Sequence, residues 1–221
     1  MLMYRRVCVE SPASTANLGP GFDVFGLALD LAYDRVEVEI VSEHGLGRVS
    51  EFEVAGPYAD QVPRDRENIV VKLAEYILSK FSFKVDIKVK LWKNVRPRSG
   101  LGSSGASSAA ITVALATLLG LKLSPIELVE LAIKGEEYAA GSPHADNVAP
   151  SILGGFVVIR SYKPLDLVRL DPPDSLGIIV VYPHVEVPQE KTKYAREILP
   201  RLVELEKVTE NIGNACYVVL G

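Results

Sequence analysis

Cysteine, histidine and long apolar runs are all scarce in this chain, and each scarcity removes a class of answer. Two cysteines, Cys8 and Cys216, stand among 221 residues, too few for a disulfide scaffold. Cys8 alternates with Val7 and Val9 in a strand-like pattern, so a buried free thiol is expected, and a reduced, cytoplasmic compartment is the simplest setting. Three histidines without Cys or acidic residues at ligand spacing give no zinc signature. No run approaches the length of a membrane span and no charged-then-apolar segment opens the chain, so no membrane partner is expected. Basic residues are not in excess: 24 Lys and Arg against 28 Asp and Glu leave a net charge of −4. Nucleic acid is therefore not an expected partner. What the chain does have is 48% hydrophobic residues, enough for a core, and length for one large or two small domains.

Hydrophobic period places the elements. Strands are expected at 5–10, 24–31, 35–41, 49–54 and 85–91, the clearest being the alternation Val36-Glu37-Val38-Glu39-Ile40. Ser11 to Phe22 reads as a loop. Asn68 can cap a helix running to about Lys80, with Val70, Leu73, Ala74 and Ile77 on one face. Ala109 to Leu119 is an Ala-rich helix. Ser124-Pro125-Ile126-Glu127 is a capping box with Pro at the first helical position, opening a helix to about Ala140 that Gly141 ends. A short helix over 145–153, strands at 154–160 and 177–182, and helices over 189–199 and 203–219 follow. Strands first and mixed elements later predict an α+β fold, with a domain boundary in the Pro- and Asp-rich stretch 161–173.

Four constellations stand out. Arg98-Ser99-Gly100-Leu101-Gly102-Ser103-Ser104-Gly105-Ala106-Ser107-Ser108 lies between a strand and the Ala-rich helix. Glycines allow close backbone approach, the helix N-terminus offers free N–H groups, and serines add donors and a Mg²⁺ ligand: the pattern of a triphosphate cradle. No Lys follows, which excludes the G-x-x-x-x-G-K-[ST] loop, and the glycines are read as too closely spaced for the dinucleotide fingerprint in a βαβ context. A linker or tight turn is the plainer alternative, against which the adjoining helix argues. In Pro12–Asp23, Asn17 can offer both donor and acceptor to a ligand and Asp23 can hold an ammonium, or both can simply satisfy turn backbone. Glu136 falls in phase with Val129, Ala132, Ile133 and Ala140 on the apolar face, whereas Glu137 shares the polar face with Glu130 and Lys134. A carboxylate so placed must pair with Arg or Lys or bind a cation, and the helix C-terminus disfavours its charge. His144-Ala145-Asp146-Asn147 precedes a short helix, where Asp146 or Asn147 can be a plain N-cap. Thr192 and Arg196, four apart, share a helix face from which Arg196 can fork onto a carboxylate.

Together these residues resemble the GHMP small-molecule kinase superfamily. Pro12-Ala-Ser-Thr-Ala-Asn-Leu-Gly-Pro-Gly-Phe-Asp23 is similar to its N-terminal motif, and Pro97-Arg-Ser-Gly-Leu-Gly-Ser-Ser-Gly-Ala-Ser107 to its phosphate loop, with Gly105 where Ala is usual. His144-Ala-Asp-Asn-Val-Ala-Pro150 with Gly154-Gly155, and Thr192-x-x-Ala-Arg196 before Leu199-Pro200, resemble segments of the branch that phosphorylates L-homoserine. The resemblance implies a GHMP-kinase-like N-terminal domain over 1–162, containing a left-handed βαβ crossover, and the start of a ferredoxin-like domain over 163–221. It implies ATP and Mg²⁺. Pro97, Arg98, Ser99, Gly100, Leu101, Gly102, Ser103, Ser104, Gly105, Ala106 and Ser107 would wrap the phosphates, Asn68 and Lys93 would border the adenosine, and Ser104 and Glu136 would hold the metal. Asn17, Asp23, His144, Asn147, Thr192 and Arg196 would line the homoserine site. Asn17, Asn147 and Arg196 are the expected catalytic residues, with no general base. Asp23 and Arg196 would pair the substrate's ammonium and carboxylate, which mevalonate, the substrate of another GHMP branch, could not use in full. Family members also run past this endpoint, with a further glycine motif and a second substrate arginine. The apolar end Cys216–Gly221 reads as mid-helix, so the chain is expected to be a truncated form, a homodimer when whole. As it stands it is expected to be nearly inactive and prone to self-association, or no more than a weak nucleotide-binding fragment.

Overall fold

The computed structural model describes residues 4–140, 144–182, 198–200 and 202–220. Its elements are β1 (Arg6–Ala16), β2 (Phe25–Ser42), β3 (Val49–Ala55), α1 (Ile69–Lys80), β4 (Asp86–Trp92), α2 (Ser103–Leu118), α3 (Pro125–Ala140), α4 (Val148–Leu153), β5 (Phe156–Tyr162), β6 (Leu165–Leu170) and α5 (Leu205–Leu220). This is the expected α+β fold.

β2 organises the sheet. β1 runs antiparallel along one of its edges. On the other edge, residues 35–42 pair with β4 and Phe25–Leu27 pair with β5. β3 extends the sheet beyond β4 in parallel, joined to it through α1, and β6 extends it beyond β5. β2 is one long strand rather than the two expected. The irregularity lies opposite Pro12: Tyr33 pairs with Pro12 while Leu29 pairs with Ala13, leaving residues 30–32 bulged out. Proline has no N–H to give the ladder, and bulges form where pairing is interrupted. β1 likewise continues through Ala16, so Pro12–Ala16 of the expected loop is strand.

The alternation in β2 and β4 turns Val36, Val38, Ile40, Ile87, Val89 and Leu91 inward against Leu73 and Ile77 of α1 and Ile111, Leu115 and Leu118 of α2. Each such side chain contributes roughly 1.5–3 kcal/mol on burial. Cys8 belongs to the opposite phase and is exposed, with Arg35 Nε 2.9 Å from its sulfur, not buried as expected. α2 packs against β1, β2, α1, α3 and α4. A helix enclosed on so many sides needs small residues all round, which is why it is Ala- and Ser-rich. A second cluster joins Val129 and Ala132 of α3, Val148 and Ala149 of α4, and Val157 and Ile159 of β5.

Both expected caps form. Asn68 Oδ1 accepts from Val70 N at 3.0 Å, and Ser124 and Glu127 exchange bonds at 2.7 and 3.3 Å. Two further expectations fail. α2 begins at Ser103, six residues before Ala109, so Ser103–Ser108 are helix rather than loop. Residues 177–182 form no strand: an apolar run becomes one only when a neighbour takes its hydrogen bonds, and here Ile179 and Val181 stand largely exposed. β6 pairs with β5 across the 162/163 division, so the first sheet continues to Leu170. Beyond Leu170 the described residues add α5, which buries no residue. Gly141 and most of the helix expected over 189–199 lie outside the described residues, while Ile198–Leu199 form a turn. Among the described residues no helix is long and apolar enough to cross a membrane.

Candidate active site

The loop from Pro97 to Gly102 leaves β4 and turns into α2. Arg98, Gly100 and Gly102 have positive φ of 61°, 81° and 62°. Such alternation turns successive N–H groups toward one side, a concavity suited to anions. Gly102 is required twice over, since a Cβ there would meet Ser14 Oγ at 2.0 Å. As N-cap of α2 it offers no side-chain bond, and the first turn holds no acidic residue. The leading N–H groups of α2 and the positive end of its dipole are therefore open to an anionic ligand. Gly100, Gly102 and Gly105 do keep G-x-G-x-x-G spacing, contrary to the expectation. Topology is what separates this loop from a dinucleotide site: α2 leads to α3, not to a strand parallel to β4. Gly105 packs on α4, where a Cβ would stand 3.1 Å from Asn147 Cβ.

Glu136 lies on the buried side of α3, 6% exposed, as its phase predicted, while Glu137 pairs outside with Lys134. Burial pushes the Glu136 carboxyl up to about 7, and the charge of Asp146 adds to the shift. The Ser104 hydrogen bond and the Lys93 charge oppose it. Its Oε1 has no hydrogen-bond partner. Helix approach makes this placement possible: Gly135 sits where a Cβ would be 2.1 Å from Ser108 Oγ of α2.

The N-terminal motif meets the 144–147 segment beside this carboxylate. Asn17 and Asp23 both have φ of 58°, a conformation Asn and Asp tolerate better than most residues. Asn17 Oδ1 accepts from Asp23 N at 2.8 Å, and its Nδ2 donates to Asp146 Oδ2 at 3.2 Å. His144 Nδ1 stands 3.9 Å from Asp23 Oδ1, and Tyr162 donates to the Asp23 carbonyl. Asn147 precedes α4, and its Oδ1 accepts from Ser14 Oγ at 3.1 Å. Thus Asn17, Asp23, His144, Asn147, Ser104 and Glu136 gather around one end of α2. Thr192 and Arg196 lie outside the described residues.

Asn68 and Lys93 both turn their side chains into the protein. Asn68 is buried, its amide spent on the α1 cap and the Pro63 carbonyl. Lys93 is buried and turned inward, bonded to Asp34, to Ser103 O at 2.7 Å and to Ser107 Oγ at 2.8 Å. Both side chains are bonded to the protein, because a buried amide or ammonium takes the partners its surroundings offer. Sequence reasoning missed Asp34, Asp146 and Ser14 as organisers. Asp34 follows the strand bulge, paired with Ser11 and fully buried, which the charged neighbours Asp30 and Arg35 hide in the sequence.

A glycine loop feeding an open helix N-terminus, with a buried carboxylate on the neighbouring helix, is an arrangement suited to a phosphate group. The family model for the GHMP kinases N terminal domain matches residues 68–155. Homoserine kinase of Methanococcus maripaludis is 43% identical over 216 residues, 97% of this chain and 68% of that protein. That of Pyrococcus horikoshii is 41% identical over 215 residues, with the same coverage. The crystal structure of homoserine kinase from Cytophaga hutchinsonii superimposes with a TM-score of 0.84 at 36% identity, over 100% of this chain and 68% of that one. The chain belongs to the homoserine kinase family, and spans about two thirds of the length of these relatives.

Proposed function

We propose that the protein transfers the γ-phosphoryl group of ATP to the side-chain hydroxyl of L-homoserine, giving O-phospho-L-homoserine for threonine biosynthesis. One observation carries this reading beyond the family: the open N-terminus of α2 adjoins the buried, incompletely bonded carboxylate of Glu136. The loop and the first turn of α2 bind the phosphates through backbone N–H groups and serine hydroxyls. Ser104 and Glu136 would hold Mg²⁺. Hard oxygen donors suit that ion, and the unpartnered Glu136 Oε1 is a fit the cation would complete. When bound, Mg²⁺ neutralises charge on the transferring phosphate.

Asn17 and Asn147 orient the acceptor hydroxyl for in-line attack on the γ-phosphorus: the new O–P bond forms as the bond to ADP breaks, and the hydroxyl proton passes to a phosphoryl oxygen and from there to solvent. Asp146, whose oxygens hold Asn17 Nδ2 and Asn147 N, positions these amides. A loose transition state makes little demand on a base, so alignment and charge neutralisation do most of the work. Asp23 beside His144 receives the substrate ammonium, and the family resemblance gives Thr192 and Arg196 to the carboxylate. The family reading carries a cytoplasmic homodimer with it. Phosphorus NMR of a mixture of protein, Mg·ATP and L-homoserine should show a new phosphomonoester resonance growing with ADP. Release of inorganic phosphate alone would overturn the reading.

A further inference from the structure

We propose that Lys93 and Asp34 form a buried clamp that holds both ends of the phosphate loop, making them positioning residues for phosphoryl transfer although neither meets the nucleotide. The proposal rests on the loop's role as given above. Lys93 and Asp34 are 2% and 0% exposed.

The clamp reaches both sides of the loop. Before it, Asp34 Oδ1 accepts from Asn94 N at 2.9 Å and Val95 N at 2.8 Å. After it, Lys93 donates to Ser103 O and Ser107 Oγ, and Ser107 Oγ donates to Asp34 Oδ2 at 2.6 Å. Ser103 Oγ closes the ring by donating to Val95 O at 3.0 Å. Lys93 is itself fixed at the strand end, where its N–H reaches Ala55 O at 2.8 Å.

The valence of the network is complete. An ammonium has three donors, and Asp34, Ser103 and Ser107 take all three. A carboxylate has about four acceptor positions, and two amides, the ammonium and one hydroxyl fill them. Nothing remains for a nucleotide. Stability does not explain the pair either. Apolar side chains of similar volume do as well as a buried ion pair or better, and a cation beneath a helix N-terminus opposes its dipole. What the pair supplies and apolar packing cannot is directional bonding that fixes the entry and exit of a seven-residue loop, 96–102, whose backbone runs through left-handed conformations at Arg98, Gly100 and Gly102, unfavourable for the non-glycine Arg98.

The test compares wild type with the double variant Lys93→Met/Asp34→Leu, which removes both charges and avoids an orphaned one. The quantities read are thermal unfolding, affinity for methylanthraniloyl-ATP, amide exchange over 96–104, and the KM for each substrate. The double variant should melt cooperatively, bind the nucleotide at least about tenfold more weakly, and exchange faster in the loop while α1 stays protected. Its homoserine KM should stay within about twofold of wild type while its ATP KM rises. A folded double variant with wild-type nucleotide affinity and loop exchange overturns the clamp. If the double variant does not fold, Ser107→Ala decides, since it deletes the hydroxyl that bridges Lys93 and Asp34: several-fold weaker nucleotide binding together with faster amide exchange over 96–104 in the nucleotide-free protein is expected, and unchanged exchange refutes the proposal. If wild type binds nucleotide but does not phosphorylate homoserine, the proposed reaction fails and the comparison of clamp variants still stands.

Discussion

Replacing Glu136 by Gln should make the metal-free protein more stable in a pH-dependent way. The wild-type carboxyl is pushed up to about 7 by burial, so between its unfolded value of 4.5 and 7 the folded state holds a proton that the unfolded chain has lost. Stability therefore falls as pH rises through that window. A shift from 4.5 to about 7 corresponds to about 3 kcal/mol at pH 8, an upper bound for the gain because the amide of Gln must still be accommodated. For a chain of 221 residues that is roughly 6–12 °C in Tm. Calorimetry or circular dichroism melts from pH 4.5 to 8 would read it as a difference between Glu136→Gln and wild type, so that titration of other groups cancels. The two proteins should coincide at the acid end and diverge toward pH 8. Mg²⁺ should raise the wild-type Tm at pH 8 and leave the variant unmoved. Parallel pH profiles, or an equal response to Mg²⁺, would refute both the buried charge and its role.

Gly102→Ala places a Cβ 2.0 Å from Ser14 Oγ at φ +62° and should cut nucleotide affinity at least about tenfold by direct titration. Gly120→Ala, with φ +66° and open space around it, should cost only about 1 kcal/mol in denaturant melts and leave affinity unchanged. Gly135→Ala should push α3 away from α2 through Ser108 and lower Mg-dependent turnover, and Ser108→Gly in the same chain should restore it, as an ADP-release assay would show. Arg196→Met should raise the homoserine KM far more than the ATP KM, and equal rises would argue against its carboxylate role.

Much of this was legible because local rules and tertiary demands agree. Val36–Ile40 alternates because one sheet face is buried, and Asn68 and Ser124 cap because nothing competes for their side chains. Glu136 was found by phase alone, since a charge among Val129, Ala132 and Ile133 has no bland surface reading. The failures share a cause. Residues 103–108 look like loop because Ser and Gly are poor helix formers, but the enclosure of α2 by five elements admits only small residues. The run 177–182 looks like strand, yet a strand needs a partner that its own sequence cannot announce. Lys93 and Asp34 lie 59 positions apart, and no periodicity links them. The bulge at residues 30–32 follows from Pro12 on the neighbouring strand, a signal visible only once the register is known.

This site should phosphorylate a zwitterionic hydroxy acid. The most direct test is kcat/KM from coupled ADP release with L-homoserine, with analogues lacking the carboxylate or the ammonium, and with mevalonate. A site that pairs both charges should prefer homoserine over each by several kcal/mol, that is by two orders of magnitude or more. Equal or better turnover of mevalonate, or of either singly charged analogue, would contradict the account.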